Sequence, residues 1–332
     1  MKALHYLGPQ EMVYSEIPDT AAGAQEDVVV VVAVDASGIC GSDLHVYRGN
    51  NPERSVPAIL GHEAAGHILS GPQTGQPVVI NPLIACGNCK LCDSGRTNLC
   101  QQRIAIGWHR PGTFADQVIV PKDNLIPMPQ GMNPAHAALT EPAATAIHAT
   151  RLAERALFGG LENAAVLVIG AGSIGLLSAL ALQAQGVEQI AITESNAMRR
   201  ASAASTGNWE IIDGAKTAPP PEAYDLIIDA VGSHTSRHIA LSAVGTGGVV
   251  IHIGLADNDG GIDVHRLTRH EITLMGAYTY TAQDLEDALH QLHRGSLGDL
   301  SWIETRQLRD GPNAFRDLDA GRIAAGKIIL IP

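Results

Sequence analysis

The sequence predicts an α/β protein in two parts, a β-rich domain at the start of the chain and a doubly wound parallel-sheet domain in its middle. Three observations predict it. The 332 residues are 45% hydrophobic and 17% charged, which is enough apolar material for two cores of ordinary size. Up to about residue 140 the apolar runs are short and separated by Gly, Pro and Asn, whereas from Ala143 onward they alternate with Ala- and Leu-rich stretches. A glycine-rich turn, Gly170-Ala171-Gly172-Ser173-Ile174-Gly175, sits where one such run meets a helical stretch.

In the first part, residues 28–34, 78–80 and 114–120 read as strands of a small antiparallel sheet or barrel, because β-branched runs of that length lie between turn residues. In the second part, 165–169 is a buried strand followed by a helix through Gln185. A strand at 190–193 and a helix at 197–205 come next, with further strands at 225–229, 249–253 and 272–275. Nearly continuous apolar strands alternating with helices indicate a parallel sheet covered on both faces. Residues 284–292 and 313–318 look helical, and 327–331 is a strand assigned to the first domain. The expected domains are 1–142, completed by about 281–332, and 143–280.

Twenty-two Lys and Arg against 34 Asp and Glu leave a formal charge of −12, a field that would repel nucleic acid and anionic membranes. The first twenty residues lack the basic start and apolar middle of a secretion signal. No apolar run is long enough to span a bilayer. The expectation is a cytoplasmic protein. Its five cysteines are Cys40, Cys86, Cys89, Cys92 and Cys100, a clustering that points to metal rather than disulfides in such a compartment.

The glycine turn follows an expected strand and opens an expected helix, which is the context a dinucleotide fingerprint requires. Gly170 permits the tight turn, Gly172 lets backbone approach a pyrophosphate, and Gly175 lets helix and strand pack closely. The N–H groups of the first helical turn, at Ser173 and Ile174, face the phosphates. Glu194 ends the next strand, where an acidic side chain accepts from ribose hydroxyls and repels a 2′-phosphate, so NAD is expected over NADP. Arg199 and Arg200 stand close enough to meet such a phosphate instead.

Cys86-x₂-Cys89-x₂-Cys92-x₇-Cys100 supplies four soft ligands. Four thiolates satisfy tetrahedral zinc with no open position, which makes the site structural; iron–sulfur ligation competes for closely spaced cysteines. A dispersed set comprises Cys40 within Gly38-Ile39-Cys40-Gly41-Ser42-Asp43, His62-Glu63 after Gly61, and Glu141 before Pro142. One thiolate, one imidazole and one carboxylate make three ligands, and a catalytic zinc keeps its fourth position open. Glu63 serves in that shell or just behind it, and Asp43 is a candidate acceptor for the far nitrogen of His62. Taken singly, Cys40 reads equally as an apolar filler, His62 as a core histidine and Glu141 as a helix cap.

Together these motifs, with Leu44-His45, Gly112-Thr113-Phe114-Ala115 and the final Gly326-Lys327-Ile328, resemble the zinc-containing medium-chain alcohol dehydrogenase family across nearly the whole chain. The resemblance implies a GroES-like catalytic domain built from both chain ends and a Rossmann domain between them. It implies catalytic zinc on Cys40, His62 and Glu141 with Glu63 adjacent, and structural zinc on the four clustered cysteines, two Zn²⁺ per subunit. It further implies NAD in the interdomain cleft, a homodimer or homotetramer, and proton transfer from Ser42 towards His45. Glutamate at 141 looks like the sorbitol, threonine and sugar-acid branch. The Arg-Tyr pair of sorbitol dehydrogenases is matched by Thr279 and Tyr280, which argues against sorbitol itself. The segment after Gly61-His62-Glu63 is also shorter than usual.

Tyr47, Trp108, Arg110 and Tyr280 are the candidate substrate contacts, with His109 in the same loop. The resemblance implies hydride transfer from a secondary alcohol (polyol, sugar acid or small diol) to NAD. The alternatives are an L-threonine 3-dehydrogenase-like or sugar-phosphate dehydrogenase activity, or a catalytically inactive NAD-binding regulatory protein.

Overall fold

The computed structural model describes residues 1–18, 29–51 and 54–332. Val28, the first residue of the expected leading strand, lies outside them. That strand runs Val29–Gly38 and organises the first sheet. Its early half pairs antiparallel with Gln117–Pro121, and its later half with Glu63–Ile68. Beyond Glu63–Ile68 lie Pro77–Ile80 and Leu125–Pro127; on the other side lie Lys327–Ile331 and Ile303–Gln307. Gly66 is required here, because a Cβ on it would sit 1.9 Å from the Ala33 carbonyl oxygen of the neighbouring strand.

The final strand is inserted beside Val29–Gly38, with Ile329 opposite Gly38 and Leu330 opposite Ser37. A smaller sheet of Glu11–Glu16, Lys2–Gly8 and Ala58–Ile59 packs alongside. The expected strand at 114–120 begins only at Gln117. Phe114 instead turns its ring into the core edge-on to Phe315, with centroids 5.9 Å apart. Its backbone crosses between sheets, donating to Leu60 O and accepting from Leu4 N.

The middle of the chain forms a six-stranded parallel sheet. In spatial order its strands are Glu210–Asp213, Gln189–Glu194, Ala165–Ile169, Tyr224–Asp229, Val244–His252 and Thr273–Gly276. The order reverses beside Ala165–Ile169, so a crevice opens at the carboxyl end of that strand, where ligands of such sheets bind. Helices Ser173–Ala184, Ala197–Thr206 and His234–Ala243 accompany it.

Two of these elements are not anticipated. Glu210–Asp213 is a short edge strand with acidic ends, and His234–Ala243 is a polar helix held by a Ser233 cap, whose hydroxyl accepts from Ser236 N at 3.0 Å. The expected strand at 249–253 starts earlier, at Val244, because Gly245, Gly247 and Gly248 disguise its first half as a turn. The long helix Thr140–Ala156 spans the expected boundary at 142/143 and packs on both Ser173–Ala184 and Ala282–His293. Among the described residues no helix is long and apolar enough to cross a membrane.

Candidate active site

Three turns of the first domain meet at one point. Cys40 follows the long strand and is the N-cap of the helix Gly41–Tyr47. Gly61, with φ +94°, lets the chain turn into His62; a Cβ there would strike the Phe114 ring at 2.7 Å. Glu63 opens its strand opposite Gly38, and a side chain at Gly38 would collide with the Glu63 carboxylate at 2.1 Å. In consequence the ligand atoms of Cys40, His62 and Glu63 lie within 4.8 Å of one another.

Asp43 braces this arrangement differently from the expectation. Its Oδ2 accepts from Cys40 N at 2.9 Å and its Oδ1 from Gly61 N at 3.4 Å. Its carboxylate is 3.8 Å from His62 Nδ1, an ion-pair contact without a hydrogen bond. Asp43 therefore ties together the two turns that carry the thiol and the imidazole.

The third donor that converges with Cys40 and His62 is Glu63, which the resemblance implied to be adjacent, while Glu141 lies just outside the group. Glu141 is buried in the first turn of Thr140–Ala156, close enough to act on His62 without joining the group. Burial pushes the Glu141 carboxyl up to about 7, with His62 opposing and Glu63 adding to the shift. Burial also resists protonation of His62, yet Asp43, Cys40 and Glu141 outweigh it and hold the imidazole well above its ordinary value. The pocket thus concentrates negative charge around one ring, and His62 Nδ1 is buried without a hydrogen-bond partner among the described residues. A thiol, an imidazole and carboxylates brought this close together fit a divalent zinc ion, which would take the place of the proton on the ring.

Lys327 is a site residue to which the sequence, read as a strand and as part of the Gly326-Lys327-Ile328 motif, assigned no role of its own. It is 2% exposed, and its Nζ donates to both Glu63 oxygens at 2.7 Å and to Ile39 O at 2.9 Å. The available signal was a lone cation heading the apolar run Ile328-Ile329-Leu330-Ile331, since a buried lysine needs a partner.

The other candidates separate. Ser42 and His45 are half-buried on the helix that Cys40 caps. Burial, with Arg48 adding to it, lowers the His45 pKa. Tyr47 points the wrong way for a substrate contact: it is 2% exposed and packs on Phe315, with centroids 5.3 Å apart. Trp108, His109 and Arg110 form an exposed tight turn. Arg54 stacks on Trp108 and donates to the Gly107 and Trp108 carbonyls. Arg48 is paired with Asp319 at 2.6 Å. Tyr280 is 1% exposed. Its hydroxyl makes no hydrogen bond of good geometry among the described residues, while burial and the Glu141 carboxylate raise its pKa well above the ordinary value.

Cys86, Cys89, Cys92 and Cys100 converge within 4.8 Å, their loop bent at Gly87 (φ +75°) and Gly95 (φ +76°). The Cys86 N–H donates to Cys100 Sγ at 3.4 Å and lowers that thiol to about 7. Backbone donation to a sulfur favours the thiolate that zinc binds.

At the crevice of the parallel sheet, Gly170 has φ +98° and Gly172 caps the helix Ser173–Ala184. A Cβ on Gly175 would lie 1.9 Å from the Gly170 carbonyl oxygen, so glycine there is the condition for the helix to start this close to the strand. Glu194 Oε2 accepts from Ala171 N at 2.9 Å, and Oε1 from Asn196 N at 2.8 Å. Its carboxylate is thereby held over the glycine turn. Arg200 is committed to the Glu194 and Ser195 carbonyls and to Asp213. Arg199 is half-buried, and its Nε has no partner among the described residues.

Known proteins agree with this construction. Residues 26–130 match the alcohol dehydrogenase GroES-like domain, and residues 173–294 match the zinc-binding dehydrogenase domain. L-galactonate-5-dehydrogenase of Escherichia coli (strain K12) is 32% identical over 303 residues, covering 86% of this chain and 85% of that relative. An L-threonine 3-dehydrogenase of Chelativorans sp. (strain BNC1) is 28% identical over 346 residues, covering 97% and 98%. Galactitol-1-phosphate dehydrogenase from Escherichia coli superposes with a TM-score of 0.88 at 26% identity over 100% of both chains. The chain belongs to the zinc-binding, medium-chain alcohol dehydrogenase family of oxidoreductases.

Proposed function

We propose that this enzyme oxidises a secondary alcohol of a sugar acid, polyol or small diol to the ketone, reversibly, with NAD as the hydride acceptor. The observation that carries the reading is the convergence of Cys40, His62 and Glu63, with Glu141 beside them, in a pocket that favours positive charge. Zinc and NAD, when bound, supply the Lewis acidity and the hydride acceptor. Cys40, His62 and a carboxylate of Glu63 or Glu141 would hold the catalytic zinc. The four clustered cysteines would hold a second, structural ion.

The chain's own groups do the rest. Asp43 fixes the backbones that carry Cys40 and His62. Lys327 balances the charge of Glu63. Ser42 receives the hydroxyl proton and passes it towards His45; the lowered pKa of His45 leaves a neutral imidazole ready to accept near neutral pH. The hydroxyl of Tyr280, beside the Glu141 carboxyl, would meet the substrate. Arg48 and Arg54 already have partners, which leaves Arg110 as the arginine that would have to meet a phosphorylated substrate. Net charge −12 supports no nucleic-acid or anionic-membrane partner. We take the protein to be a cytoplasmic homodimer or homotetramer.

The test is a panel of sugar acids, polyols, diols and L-threonine with NAD and NADP, following formation of the reduced nicotinamide. Turnover of a secondary alcohol with NAD is the expected result. Tight NADH binding without turnover of any alcohol would leave only a regulatory dinucleotide-binding protein.

The cofactor preference has its own check. Glu194→Ser removes the ribose acceptor and the anchor of Ala171 N. It should weaken NADH binding by about tenfold and NADPH binding less, measured by fluorescence titration of both. An equal loss for the two would show that Glu194 acts only on the loop.

A further inference from the structure

Tyr280 is 1% exposed and packs in the core beside Glu141, and the backbone on either side of it is clamped as well. On the C-terminal side, Thr281 caps the helix Ala282–His293: its Oγ1 accepts from Asp284 N at 3.2 Å, and its N–H donates to Asp284 Oδ2 at 2.9 Å. On the N-terminal side the partner is the four-cysteine lobe. Asn98, 2% exposed in the turn Thr97–Leu99 between Cys92 and Cys100, donates its Nδ2 to Tyr278 O at 2.8 Å. Arg103 lies over the Tyr278 ring at 4.8 Å and donates Nη2 to Tyr278 Oη at 2.9 Å. Its other terminal nitrogen donates to the carbonyls of Asn98 and Cys100. One guanidinium thus joins the lobe's own backbone to Tyr278.

Between the two clamps Thr279 has φ +48°, a left-handed conformation that a β-branched residue adopts only under constraint. Its Oγ1 is buried without a partner among the described residues, so nothing local compensates for the conformation.

We propose that the four-cysteine lobe positions Tyr280 in the active site, with Asn98 and Arg103 acting through Tyr278. A lobe remote in sequence from Cys40, His62 and Glu141 then governs how the alcohol is held. The inference rests on the reading of Tyr280 as a substrate contact, and the experiment separates the two. Asn98 and Arg103 are positioning residues that stand apart from Cys40, His62, Glu63 and the dinucleotide turn; at Cys100, Arg103 contacts only the backbone carbonyl, not the sulfur.

The experiment uses the zinc-loaded full chain carrying Asn98→Ser with Arg103→Met, and Tyr280→Phe as the reference, with butane-2,3-diol as the probe alcohol. In the double variant, amide exchange across residues 277–281 should accelerate at least about tenfold, while the strand Ala165–Ile169 keeps its protection. Zinc content should stay at its wild-type level. The KM for the diol should rise about fivefold in both proteins, with kcat and the KM for NAD within about twofold. A lobe with only a structural role would lower melting temperature and zinc content without this split. Unchanged exchange across 277–281 overturns the proposal. So does faster exchange with an unmoved diol KM when Tyr280→Phe does raise it. If Tyr280→Phe leaves the diol KM unmoved, the substrate reading of Tyr280 falls, and the exchange result still decides whether the lobe positions it.

Discussion

Cys40→Ala is expected to lower turnover by at least about a hundredfold while leaving NADH affinity within about twofold. The thiol is the one soft donor of the dispersed cluster, and without it the imidazole of His62 and a carboxylate cannot complete a three-ligand zinc site. The glycine turn and Glu194 belong to the other sheet and keep their own hydrogen bonds, so dinucleotide binding is preserved. Initial rates with the best alcohol of the panel, metal analysis and an NADH titration together check this. Full turnover with one zinc fewer per chain would remove Cys40 from the mechanism.

Lys327→Met is expected to destabilise the fold by about 3–5 kcal/mol, because it strands the Glu63 carboxylate as an unpaired charge in the interior. Lys327 and Glu63 are 2% and 0% exposed and meet across 264 positions of sequence. The pair adds to the backbone pairing that holds the last strand beside Val29–Gly38. Pairing Lys327→Met with Glu63→Gln should recover most of the loss, since an uncharged partner has no buried charge to strand. Denaturant unfolding of the two single variants and the double variant measures the coupling. Additive losses would show that the two groups contribute independently.

The parallel sheet was legible wherever a strand is a continuous apolar run, as at Ala165–Ile169 and Gln189–Glu194. It was illegible where glycines break the run, as at the start of Val244–His252, or where an edge strand is short and acidic, as at Glu210–Asp213. The convergence of the four cysteines was legible, because they are neighbours in the chain and two glycines make the required bends. Tyr47 shows the opposite case. It is the last residue of the helix carrying Ser42 and His45, yet its position there turns it into the core against Phe315, and sequence proximity to a site does not specify a direction.

The sequence by itself determined the two kinds of sheet, the dinucleotide turn, the compact cysteine lobe and the set of groups from which a catalytic centre could be made. Only the tertiary structure decided that Glu63 joins Cys40 and His62, that Asp43 braces their backbones, and that Lys327 neutralises Glu63. The physical reason is the range of the interactions. Glycine conformations, helix caps and short ligand spacings are local properties of the chain. Which carboxylate stands beside which imidazole depends on strand register and on a last strand that returns to pair with Val29–Gly38.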